Sequence, residues 1–227
     1  MAAPRFKNRT AEEIANSERR FTTAWTARQA LSWLDLGERT DSVSALLYAA
    51  LELRNAIELL WYEHIVVATG EKMTRRDYER YKGSSTKIAK HMKREGRVYE
   101  KLAEFSNIVL KTTCTNIQVV RWDIDRLLKA HGQLAKYLHF HGMPEETWAS
   151  SEWRTRCKSE VRDIGLYLWE SLKRGSTGLM KEEQMEPEVR QMWEQFREGR
   201  LSADDCEGRL RIAGPVFRKR RMLRGEM

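Results

Sequence analysis

Between Val43 and His64 the apolar residues return in helical register, and they occupy more than one side of the helix. Val43, Leu46, Leu47, Ala50, Ile57, Leu60, Trp61 and His64 make the pattern. A helix that is apolar on two sides has to be covered on both, so this segment predicts the central member of a helical bundle. A bilayer span is not predicted. The apolar stretch from Ala45 to Ala68 carries Glu52, Arg54, Glu58 and Glu63, and four charges are too costly in hydrocarbon.

The rest of the chain agrees with that start. Four prolines and thirteen glycines in 227 residues are too few turn formers for an all-β protein. The expected fold class is all-α, a bundle of about five longer helices with short C-terminal helices. Residues 1–175 would form the bundle, 176–217 the C-terminal helices and 218–227 a basic tail.

Local signals set the expected boundaries. Thr10-Ala-Glu-Glu13 is a capping box, opening a helix that runs past Phe21, Trp25 and Trp33 to about Leu36, where Gly37 ends it. The central helix follows Asp41 or Ser42 and stops near Gly70. Thr74-Arg-Arg-Asp77 reads as another start, Ser85 as the cap of a short basic helix to Arg94, and Gly96 as an interruption. Val98, Leu102, Phe105, Ile108 and Val109 form the next stripe. A further helix carries Ile117, Val120, Ile124, Leu127, His131, Leu134 and Leu138 on one face, and His141-Gly-Met-Pro144 ends it. Trp153, Cys157, Val161, Ile164, Leu168 and Leu172 form a clean stripe. Pro187 suits a helix's first turn, and Ser202-Ala-Asp-Asp205 opens a last helix that Gly214-Pro215 should stop. Trp25, Trp33, Trp61, Trp153, Trp169 and Trp193 fall where core stripes run.

Several function classes are unsupported. Cys114, Cys157 and Cys206 are odd in number and far apart, which favours neither a zinc cage nor a disulfide framework. Reduced thiols in a cytoplasmic protein are expected. The opening MAAPRFKNRTAEE has no apolar core of a signal peptide. No Walker A, Rossmann glycine pattern, HExxH or GxSxG occurs, and no cofactor is expected.

Charge points to an anionic partner. The net charge of +8 is concentrated in two places. Lys72 to Arg97 holds ten Lys/Arg against three Asp/Glu, and Arg218 to Arg224 holds five Arg/Lys and no acid. Arg75, Arg76, Arg80, Lys87, Lys90, Lys93, Arg94 and Arg97 in the first patch are candidate nucleic-acid contacts. So are Arg218, Lys219, Arg220 and Arg221 in the second. Tyr78, Tyr81 and His91 interleave with the first set, as stacking residues do in single-strand binders. Both segments read equally as solvated basic surface, and the tail's charge also suits an acidic protein or a membrane surface.

The chemistry-bearing knot is RLLKAHGQLAKYLHFHG, with three of the five histidines, His131, His139 and His141, in eleven residues. Histidine changes charge near neutral pH. Arg126, four residues and His131 make an Arg–His spacing that resembles the signature of the HEPN superfamily, small all-helical bundles. Many of these are metal-independent ribonucleases of toxin and anti-phage defence systems. The resemblance covers roughly residues 40–175 and departs from the pattern at Leu127, where a polar residue is usual. It implies RNA as substrate, a dimer with two such pairs across a cleft, Arg126 as phosphate clamp and His131 as acid/base, with Tyr137 and His139 in support. An internal 2′-hydroxyl attacking its own phosphate needs no metal if a base and a cation are well positioned. His139-Phe-His141 lacks companions at ligand spacing, and no metal is assigned there.

Position alone gives His131 a second reading. It lies between Leu127 and Leu134 in an apolar stripe, and residues five apart on a helix point about 140° from each other. The alternative is therefore a non-catalytic module contacting nucleic acid or a protein partner. A solvent-accessible His131 within reach of Arg126 favours an endoribonuclease, and a buried one favours the binding module.

Overall fold

The computed structural model describes residues 6–20, 22–68, 85–112, 118–138, 150–175, 182 and 185–223, with the backbone alone at 64–68, 85–86, 88–89, 91–97 and 214–223. The expected Thr74 start and the His141–Pro144 stop lie outside the described residues. The class is all-α. The helices are α1 (Ala11–Ala15), α2 (Thr23–Thr40), α3 (Val43–Ala68), α4 (Ser85–Thr112), α5 (Ile124–Leu138), α6 (Ser151–Arg174), α7 (Pro187–Arg197) and α8 (Ala203–Leu223). No described helix is long and apolar enough to cross a membrane.

The chain divides into two compact units, each assembled from separate segments. The first takes Met1–His64, Tyr81–Lys90 and Asp123–Lys173, and the second Ile65–Arg80, His91–Trp122 and Arg174–Met227.

In the first unit α3 is central, as its double apolar pattern requires. Leu46, Leu53, Ala56, Ile57, Leu60 and Trp61 have no exposed surface. A methyl group on Gly37 of α2 would meet Leu46, and one on Gly165 of α6 would meet Leu31 and Leu53, so these backbones approach closely. Trp61 lies against His131 of α5, ring centroids 4.8 Å apart. Arg154 and Lys158 of α6 reach the Asp41 carboxylate at 2.8 and 2.7 Å. The N-terminal strap is bound by Arg9, whose guanidinium donates to the Ser32 hydroxyl, the Glu13 carbonyl and the Gln29 side chain.

The second unit packs α7 and the start of α8 on the later part of α4. Its core holds Leu102, Phe105, Met192, Trp193, Phe196 and Leu210.

Five boundaries differ from expectation, each for a local reason. The capping box at Thr10 forms, but α1 ends at Ala15 and a new helix begins behind the Thr22 cap. Gly37 lies inside α2, where its lack of a side chain admits Leu46, and the helix ends at Asp41 in the left-handed conformation. Gly96 does not interrupt α4, since one interior glycine costs only about 1 kcal/mol. Residues 118–123 are not helical. The Asn107 carboxamide donates to the Val119 carbonyl at 3.0 Å and accepts from its N–H at 2.7 Å, and the Tyr99 hydroxyl donates to the Val120 carbonyl. These bonds hold the β-branched Val119 and Val120 outside a helix. Asp123 then caps α5 by accepting from the Arg126 N–H. Finally, α8 continues through Gly214-Pro215 to Leu223, since proline removes one ladder donor without forbidding a helix beyond it.

Candidate functional site

His131 is brought by the fold to α3. Its face of α5 is buried, with Ile124, Leu127, Leu134 and Tyr137, and the residue keeps 7% of its surface. One turn of α3 supplies its partners. Nε2 of His131 lies 2.9 Å from Glu58 Oε1, and Arg54 Nε lies 3.2 Å from that oxygen and 3.2 Å from Nε2. An ionised carboxylate only accepts. The consistent arrangement has His131 donating through Nε2–H and Arg54 through Nε–H to the same oxygen. The hydrogen bond from His131, with the nearby Arg54 charge, holds the Glu58 carboxyl below its ordinary range against the opposing effect of burial. Trp61 covers the imidazole. In this geometry Nε2 is committed to the Glu58 carboxylate.

Arg126 engages other partners. It is exposed, and its guanidinium carbon stands 3.8 Å over the Tyr167 ring of α6. The fold therefore gives the two residues of the Arg–His spacing separate environments. Tyr137 is buried, edge-on to Trp153. Burial first, then its hydrogen bond to Glu160, pushes its phenol above the ordinary value, so it serves as a donor rather than a base. His139 lies outside the described residues.

The basic candidates divide likewise. Lys87 and Lys90 are exposed on α4. Lys93, Arg94 and Arg97 belong to α4, and Arg218, Lys219, Arg220 and Arg221 to α8, with side chains outside the described set. Arg75, Arg76 and Arg80 also lie outside it.

What sequence reasoning missed is the outward face of α5. Arg126, Lys129, Gln133 and Lys136 recur at intervals of three, four and three, opposite the apolar stripe. Arg126, Lys129 and Lys136 are exposed. That polar periodicity was readable in the sequence. The companionship of Arg54 and Glu58 with His131, across more than seventy residues, was not.

Beside this row runs a groove of about 190 Å³ between α5 and α6, whose lining includes the buried Ala130 and Ile164. Among the described residues no three His, Cys, Asp or Glu side chains gather as a metal would require. Cys157 and Cys206 are buried, and desolvation pushes their thiols up to about 12 and about 11, so neither is an activated nucleophile.

Compared with known proteins, the chain matches no family model, no curated protein and no solved structure.

Proposed function

We propose that this chain is a helical protein that binds nucleic acid without cutting it, gripping the phosphate backbone along the outward face of α5. The observation that carries the reading is the exposed row Arg126, Lys129 and Lys136, in which no cation enters an ion pair among the described residues. Aligned exposed cations outside internal ion pairs are what phosphate contact needs. Lys87 and Lys90, exposed in the same compact unit, add to the positive field. In this reading His131 is an anchor that ties α5 to α3.

A second reading, a metal-independent endoribonuclease of a toxin or anti-phage system acting as a dimer, is favoured by one observation. The Arg54 and Glu58 side chains keep 21% and 28% of their surface exposed beside His131. The cation next to the histidine would then be Arg54 rather than Arg126.

One experiment separates them: RNA incubated in EDTA with wild type and His131→Gln, cleavage read on a gel and binding by mobility shift. Binding by both without cleavage supports the first reading. Cleavage by wild type that His131→Gln loses while binding persists supports the second and overturns the first. Absence of binding overturns both and directs the search to protein partners.

A further inference from the structure

The groove between α5 and α6 combines braced side chains with polar ones that enter no hydrogen bond among the described residues. Its working residues are Arg126, Lys129 and Gln133 from α5 and Glu160, Asp163 and Tyr167 from α6. Arg126 and Tyr167 form a braced stack. The Tyr167 hydroxyl accepts from the Asp123 N–H at 3.3 Å, and Asp123 Oδ1 accepts from the Arg126 N–H at 2.9 Å. One capping residue thus holds both members of a pair whose guanidinium rests 3.8 Å above the ring. Glu160 is occupied by Tyr137. Lys129, Gln133 and Asp163, in contrast, enter no hydrogen bond or ion pair among the described residues. Opposite charges line one small groove without neutralising each other.

Those features together specify an occupant. A guanidinium 3.8 Å above an aromatic ring, on an exposed residue, offers a planar cation on which a base can stack. A carboxylate accepts only, so Asp163 selects two adjacent donors. The Gln133 amide supplies a donor for an acceptor, leaving Lys129 to the phosphates. Guanine alone among the four RNA bases presents N1–H and N2–H side by side with O6 next to them. Uracil offers one N–H between two carbonyls, and adenine and cytosine each set an amino group beside an acceptor nitrogen. The volume, about 190 Å³, lies below the roughly 300–1,000 Å³ of pockets for drug-sized ligands and suits a single base.

We propose that the α5–α6 groove is a pocket for one unpaired guanine of a single-stranded nucleic acid, stacked on the Arg126–Tyr167 pair and read by Asp163. The biological partner rests on the nucleic-acid reading above, while the pocket itself is testable with mononucleotides. The full chain is titrated with 5′-GMP, 5′-AMP and 5′-UMP by ligand-observed NMR. GMP is expected to bind about tenfold tighter than the others, as one bidentate contact provides. Asp163→Asn, at an exposed position, should remove that preference, and Tyr167→Leu should weaken all three, with circular dichroism confirming that each variant folds. Equal affinity for the three nucleotides, binding of none, or a GMP preference that survives Asp163→Asn overturns the pocket. A mobility shift with oligouridylate, which contains no guanine, tests the phosphate grip separately. Its failure would overturn the phosphate grip, while the mononucleotides alone decide the guanine pocket.

Discussion

At the scale of single residues, the Glu58 carboxylate organises the centre of the first unit. It accepts from a histidine on one helix and lies one turn from an arginine on its own. Its pKa is depressed chiefly by the hydrogen bond from His131. A depressed carboxyl stabilises the fold above its ordinary pKa and loses that contribution as pH falls through the folded value. Glu58→Gln keeps an oxygen that can accept from His131 but loses its charge, so it should cost about 1 kcal/mol at neutral pH, the difference between a charge-assisted hydrogen bond and a neutral one. The gap to wild type should narrow as acid protonates the native carboxylate. Urea midpoints of the two proteins from pH 7 to pH 3 measure it. A gap that stays constant over that range would falsify the assignment of Glu58 as the ionised acceptor. The same residues show why a motif in sequence is weak evidence for a site. Arg126 and His131 are separated by five positions on one helix, so the helix itself turns them apart.

At the scale of elements, glycines make opposite demands. Gly132 is exposed in α5 with no atom within 4 Å of a built methyl group. Gly132→Ala should stabilise the protein by roughly 0.5–1 kcal/mol, since alanine loses less backbone entropy on folding. Gly37 in α2 is the reverse case. A methyl group there would lie 2.9 Å from Leu46 Cδ2 and 3.3 Å from the Leu46 backbone nitrogen, and Leu46 is fully buried. Gly37→Ala should lower the thermal midpoint while Gly132→Ala raises it, and calorimetry on the pair checks both signs. Residues alike in composition thus read as breakers at 37 and 96, yet one is a contact point and the other a tolerated interior position. Gly37 owes its role to the neighbour it meets, Leu46.

At the scale of the whole molecule, charge is the property that reaches furthest. The net +8 favours association with polyanions, and the proposed grip on α5 should make it salt-dependent. For single strands the logarithm of affinity falls against the logarithm of salt by about 0.7 per phosphate contact. Replacing Arg126, Lys129 and Lys136 by glutamine should reduce that slope by about two, while each protein keeps its helical spectrum. Binding isotherms between 50 and 200 mM salt read the slope. An unchanged slope would place the grip elsewhere, on the basic segments of α4 or α8.

The sequence alone determined the all-α class, the central place of α3, the Thr10 cap, the Pro187 start and the Trp153–Leu172 stripe. Each of these depends on residues within a turn or two of one another, where helical periodicity and capping act directly. Tertiary structure decided that residues 118–123 stay out of a helix, because Val119 and Val120 find hydrogen-bond partners in Asn107 and Tyr99 of another helix. It also decided that His131 meets Arg54 and Glu58, and that Tyr167 lies beneath Arg126. Such pairings depend on how helices cross, and crossing is settled by the packing of whole faces rather than by spacing along one strand of sequence.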